Sequence, residues 1–155
     1  MGRIITIDEA RALMEKHNQE EFHRHHAETV SGVMRYFAKE YDPEKEEYWA
    51  VVGMLHDLDF EEYPEEHCIK NEEIMKAEGI DDGIIRAVCS HGYGLTKSPY
   101  KPELQMEKVL FATDELTGLI GACALMRPSK STLDMELDEL LSKTLDAMKS
   151  LEENK

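Results

Sequence analysis

The sequence predicts an all-α fold, a compact single-domain bundle of about six to seven helices, and three observations predict it. Apolar residues recur at spacings of three and four in successive segments, as one face of a helix requires. Capping residues and glycine or proline stops punctuate those segments at helix-like lengths. No stretch alternates apolar and polar residues convincingly enough to be a strand.

Taken in order, Asp8 stands before Glu9-Ala-Arg-Ala-Leu-Met-Glu-Lys and is expected to cap a short first helix. A second helix is expected to begin near Glu20. Phe22 or His23, then His26, Val30, Val33 or Met34, and Phe37 form a face that should turn inward and carry His26 with it. Asp42 followed by Pro43 opens a third helix through Tyr48-Trp-Ala-Val-Val-Gly-Met-Leu. The segment from His67 to Glu78 predicts a fourth helix, stopped by Gly79, and Asp81 or Asp82 caps a fifth that runs to about His91. Gly92 to Pro102 has the composition of a loop. Pro102 then opens a long helix through Met126, apolar on nearly all sides between Lys108 and Leu125 and therefore expected to be buried. Ser131 or Thr132 caps a last amphipathic helix over 132–152, with Leu133, Leu137, Leu140, Leu141, Leu145 and Met148 on one stripe. That stripe reads first as intramolecular packing and second as a homodimer contact.

Composition bounds the function. Among 155 residues, 18 Lys plus Arg oppose 33 Asp plus Glu, a formal charge of −15, with 41% hydrophobic and 33% charged residues. That mixture encloses a core and excludes global disorder, while 5 Pro and 9 Gly exclude a collagen-like chain. Counterion release needs a basic surface, so non-specific nucleic-acid binding is not expected. Cys68, Cys89 and Cys123 form no Cys-x-x-Cys pair, and neither a disulfide framework nor a thiolate zinc site is indicated. No apolar run approaches the ~18 to 20 residues needed to cross a bilayer, and the first residues do not read as a signal peptide. A protein of the cytoplasm, with no membrane association, is the expectation. No linker-like composition divides residues 1–155, so one domain is expected, with its core over about positions 20 to 132.

Chemistry concentrates at a few positions. In Val51-Val-Gly-Met-Leu-His56-Asp57-Leu-Asp59-Phe an apolar helix runs into an imidazole and a carboxylate. Helical neighbours diverge by about 100°, so both reach one ion most easily where the helix ends; a hydrogen-bonded capping pair is the plain alternative. Asp114 lies within an apolar segment, where an unpaired carboxylate costs several kcal/mol unless a partner or a cation answers it. His26 adds an imidazole from an apolar face, although a lone histidine there is more often a satisfied core residue. Together His26, His56, Asp57 and Asp114 offer two nitrogens and two carboxylates, a set that suits Mn, Fe, Co, Ni or Zn better than Mg. A dication would also relieve the repulsion between two buried acids.

This order of His, then His-Asp, then a distant Asp resembles the HD-domain superfamily of metal-dependent phosphohydrolases, with His26, His56-Asp57 and Asp114 matching in turn. The stretches His26-Ala-Glu-Thr-Val-Ser-Gly-Val-Met-Arg-Tyr-Phe-Ala, Trp49 to His67, Ser90-His91-Gly, Ala112-Thr-Asp-Glu-Leu-Thr-Gly-Leu-Ile and Arg127-Pro-Ser-Lys130 look like a small group of uncharacterised HD-superfamily hydrolases, over about positions 20 to 132. The resemblance implies an HD-type helical fold and one ion, or two where His67 and His91 join. It implies hydrolysis of a nucleotide or other small phosphate ester by metal-activated water. Asp57 would hold the metal, while Asp59 orients water or moves a proton. Lys130, Arg127 and Lys97 would neutralise the phosphate. Nucleotide-cleaving relatives place a glutamate three residues after the aspartate of the pair, where this chain has Phe60. A non-catalytic metal-binding or partner-binding protein, and a di-iron oxygenase of the same fold, stay open as alternatives. Substrate and metal identity lie beyond what the sequence supplies.

Overall fold

In the computed structural model, residues 2–138, 140–142 and 149 are described. Met1–Glu115 form one compact unit and Leu116–Lys155 a second. Six α-helices have defined bounds, and among the described residues there is no sheet, only a single parallel bridge between Arg3 and Ile80. No described helix is long and apolar enough to cross a membrane.

Helix α1 (Ile7–His17) starts one residue before Asp8, because Thr6 and not Asp8 is its cap. The Thr6 hydroxyl accepts from Glu9 N at 3.3 Å and the Glu9 carboxylate accepts from Thr6 N at 2.8 Å, a reciprocal box. Helix α2 (Glu21–Tyr41) has no local cap, and the Glu61 carboxylate receives Gln19 N and Glu20 N at 2.9 and 3.1 Å just ahead of it. Ala27, Val30, Ser31, Met34 and Ala38 are buried, with His26 half-buried beside them, while Phe22 and His25 face out.

After one 3₁₀ turn at Pro43–Lys45, helix α3 (Glu46–Leu55) buries every residue from Trp49 to Leu55, which makes it the axis of the unit. It lies against α1, α2 and α5 (Asp82–Ser90). Its approach to α2 is close because Gly53 has no side chain: a Cβ there would come 2.9 Å from Ser31 Cα and Val30 O. Ser31 Oγ crosses the same gap and donates to Ala50 O at 2.8 Å.

Helix α4 (Ile69–Ala77) begins two residues later than the sequence pattern suggests, since Cys68 takes a left-handed φ of 68° and turns the chain. Asp81 caps α5, accepting from Gly83 N at 3.0 Å and Ile84 N at 3.3 Å, and also receives the Tyr48 hydroxyl at 3.0 Å. Helix α6 (Gln105–Leu125) is anchored at its start by the fully buried Glu107. That carboxylate accepts from Glu103 N and Leu104 N at 2.7 and 3.1 Å and pairs with Arg86 Nε at 3.1 Å, which ties α6 to α5. Two helical turns on, Asp114 shares the inward side with Glu107 and Leu110.

Burial of the whole Lys108–Leu125 segment is corrected. Val109 and Leu110 are buried, but Phe111 is 42% exposed, Leu116 48%, Leu119 39% and Leu125 60%. The helix is covered along one stripe near its start rather than all round.

In the second unit Arg127 Nη2 donates to Asp134 O at 2.7 Å and Ser129 Oγ to Asp134 Oδ1 at 2.9 Å, closing the turn after α6. Among the described residues of the expected packing stripe, Leu140 is buried and Leu133, Leu137 and Leu141 are exposed. Leu145 and Met148 lie outside the described residues.

Candidate metal centre

Four elements of the first unit deliver side chains to one place. His56 is the residue at which α3 stops, and Asp57 follows in the turn, so two adjacent side chains reach a common point although helical neighbours would diverge. His26 comes from the inner face of α2 and Asp114 from the inner stripe of α6. His26, His56, Asp57 and Asp114 each offer an atom within 4.8 Å of the others. His26 Nε2 lies 3.1 Å from Asp114 Oδ1 and 3.8 Å from Asp57 Oδ2, and His56 Nε2 lies 3.3 Å from Asp57 Oδ2 and 3.2 Å from Asp114 Oδ1.

A second group adjoins the first. His67, Cys68 and His91 also present ligand atoms within 4.8 Å of one another. Asp57 faces both groups: its Oδ1 is 3.3 Å from His67 Nε2 and 3.7 Å from His91 Nε2, while its Oδ2 faces His26 and His56. Cys68 joins this group although no Cys-x-x-Cys spacing announces it.

The protonation of these rings follows from their partners. His56 Nδ1 is 2.7 Å from Gly53 O and His91 Nδ1 is 2.5 Å from Val88 O. A carbonyl only accepts, so both Nδ1 atoms carry the proton and donate. His67 Nδ1 likewise donates to Asp59 Oδ1 at 2.6 Å. The three rings therefore turn their Nε2 atoms toward the centre. There His67 Nε2 and His91 Nε2 stand 3.0 Å apart, and His56 Nε2 and His26 Nε2 3.3 Å apart. Lone pairs at that separation repel unless a proton or a metal ion lies between them.

Electrostatics agrees. Burial disfavours a charged His56, yet the Asp57 and Asp114 carboxylates hold its pKa well above the ordinary value. Burial likewise disfavours a charged His67, and Asp59 and Cys68 outweigh it, pushing the ring up to about 10. Burial would raise Asp57 and Asp114. His56 and His91 instead hold Asp57 well below the carboxylate range, and His26 and His56 do the same for Asp114. The pocket demands positive charge, and without a metal it collects protons to supply it.

Supporting residues lie behind these rings. Asp59 is fully buried, with Oδ1 on His67 Nδ1 and Oδ2 receiving Asn71 N at 2.8 Å. Asn71, also fully buried, donates its amide to Leu55 O at 2.9 Å and His56 O at 2.8 Å, which pins the end of α3 to the start of α4. Asn71 was missed in sequence; an amide inside an otherwise ordinary helix pattern was its only signal. The Asp57, His26 and Asp114 side chains keep 21%, 17% and 16% of their surface exposed, against none for His56, so the centre opens on their side. Of the cations singled out in sequence, Lys97 is exposed on the loop after His91, whereas Arg127 and Lys130 belong to the second unit, Arg127 being engaged with Asp134.

The arrangement defines a protein with the capacity to bind one or two divalent ions. No family model, no curated protein and no solved structure matches the chain.

Proposed function

We propose that the chain is a metal-dependent phosphohydrolase acting on a nucleotide or other small phosphate ester, as its resemblance to the HD-domain superfamily implies. The observation that carries the metal-binding part is the facing of Nε2 atoms at 3.0 and 3.3 Å beside the Asp57 carboxylate. Nitrogen and carboxylate donors in that mixture suit Mn, Fe, Co, Ni or Zn, and the donor set therefore fits the ion the resemblance implies.

When bound, a divalent ion would lower the pKa of a water from about 15.7 toward about 7 and polarise a phosphoryl oxygen. His26, His56, Asp57 and Asp114 would hold the first ion, and His67 and His91, with Asp57 shared, a second. The exposed edge formed by His26, Asp57 and Asp114 admits substrate and water. Asp59 was read in sequence as the group that handles protons; we assign it instead to positioning, because both of its oxygens are taken by His67 and by Asn71 N. Lys97 is the cation of the first unit assigned to the phosphate.

The test is elemental analysis of the purified protein beside His56→Ala and Asp114→Ala, followed by a phosphate-ester panel with each metal. At least one ion per chain, lost in both variants together with phosphate release, is the expected result. Unchanged metal content in both variants refutes the ligand assignment. Sharing of Asp57 between two histidine-bearing groups also suits a di-iron oxygenase. Two irons per chain without phosphatase activity would favour that reading.

A further inference from the structure

We propose that Cys68 is a thiolate ligand of the second ion, so that the two metal positions differ in kind: nitrogen and oxygen donors at the first, and His67, His91, Cys68 and Asp57 at the second. This role presupposes the metal-binding reading above.

Three observations converge on the sulfur. It belongs to the same 4.8 Å group as the His67 and His91 ring nitrogens, and the residue is 1% exposed. Second, the backbone at Cys68 has a φ of 68°, a left-handed conformation that a residue with a Cβ adopts only under strain. Adjacent side chains diverge by about 100° in a helix and oppose each other in a strand; the reversal at Cys68, after an extended His67 with ψ 143°, lets both side chains serve one cluster. Third, Gly92 follows His91 directly, and a Cβ there would come 2.5 Å from Cys68 Sγ. The sulfur fills room that only glycine leaves open beside that histidine.

Cys89 supplies the contrast. It is equally buried, but its thiol donates to Cys68 O at 3.4 Å, and burial pushes its pKa up. A sulfur engaged in that way serves the backbone, and Cys89 is not among the clustered ligand atoms.

The chemistry balances without a redox partner. As the sulfur's electron pair forms the bond to the second dication, the thiol proton passes to solvent, and any proton carried on the His67 and His91 Nε2 atoms leaves with it. His67 and His91 contribute Nε2 lone pairs, their Nδ1 protons being held by Asp59 and Val88 O. Two nitrogens, one sulfur and one carboxylate oxygen make a four-donor set of the type zinc and cobalt take. Thiolate binds magnesium and calcium poorly, so the second position would select the softer ions.

Cobalt(II) titrated into chelator-treated full-length protein tests the assignment. A sulfur-to-cobalt charge-transfer band in the near ultraviolet is expected at or below two equivalents, retained in Cys89→Ser and Cys123→Ser. In Cys68→Ser the band should vanish and one ion should bind at least about tenfold more weakly, while the other equivalent keeps its visible absorption. The wild-type spectrum decides even if a variant fails to fold. Binding of cobalt without that band, or a band that survives in Cys68→Ser, overturns the role of Cys68 and leaves the metal-binding reading standing. Absence of cobalt binding overturns both.

Discussion

His67 carries the clearest chemical statement at the scale of single residues. Its Nδ1 sits 2.6 Å from the buried Asp59 carboxylate and its Nε2 faces His91 at 3.0 Å, so the ring is held in one orientation by groups on opposite sides. In the metal-free protein its pKa stands at about 10 against an ordinary 6.5. A raised folded-state pKa means the imidazolium stabilises the fold fully below pH 6.5 and that this contribution is lost as pH climbs through about 10. Urea midpoints of the chelator-treated protein should therefore fall across that window, and Asp59→Asn should flatten the fall; a profile identical in the two proteins would contradict the coupling. Metal affinity should run in the opposite sense over the same range, rising with pH, because each ion must displace the protons that His56 and His67 otherwise keep. Isothermal titration in two buffers of different ionisation enthalpy reads the protons released.

At the scale of elements, the contact between α2 and α3 sets the distance between His26 and His56. Gly53 lies at that contact and also supplies the carbonyl that His56 Nδ1 bonds. Gly53→Ala would place a methyl 2.9 Å from backbone atoms of Val30 and Ser31, neither of which can swing aside. We expect a loss of about 1–3 kcal/mol in chemical denaturation from the overpacking. Because the strain acts about one helical turn from each of the two imidazoles, metal affinity should fall with it. Gly32, on the outer side of α2 with nothing within 4 Å of a Cβ, serves as the control whose alanine variant should keep both properties.

For the molecule as a whole, the centre is a store of unbalanced charge: three imidazoles turn Nε2 inward beside buried carboxylates in a chain of formal charge −15. An ion that binds the native state alone stabilises it by about 4 kcal/mol at a thousandfold excess over Kd. Thermal unfolding of the chelator-treated protein should accordingly shift upward on addition of zinc or manganese, and His56→Ala should show a smaller shift. Equal shifts in the two proteins would place the ion elsewhere.

Helical character was legible along the sequence because spacing and stops are local properties: α2, α5 and α6 lie close to where apolar recurrence and caps put them. His26, His56, Asp57 and Asp114 stood out for the same local reason, polar groups where the pattern calls for apolar ones, and they lie together in space. What tertiary structure alone decided depends on atoms distant in the chain. The left-handed turn at Cys68, the Gly92 gap that admits its sulfur and the Asn71 clamp on the end of α3 have no periodic signal, since each answers a neighbour rather than its own segment. Asp59 is the sharpest case, an acid among surface-like acids in sequence that becomes fully buried because His67 and Asn71 close over it. Local chemistry names the groups available for a site; packing sets which of their atoms face one another, and hence the charge the site must hold.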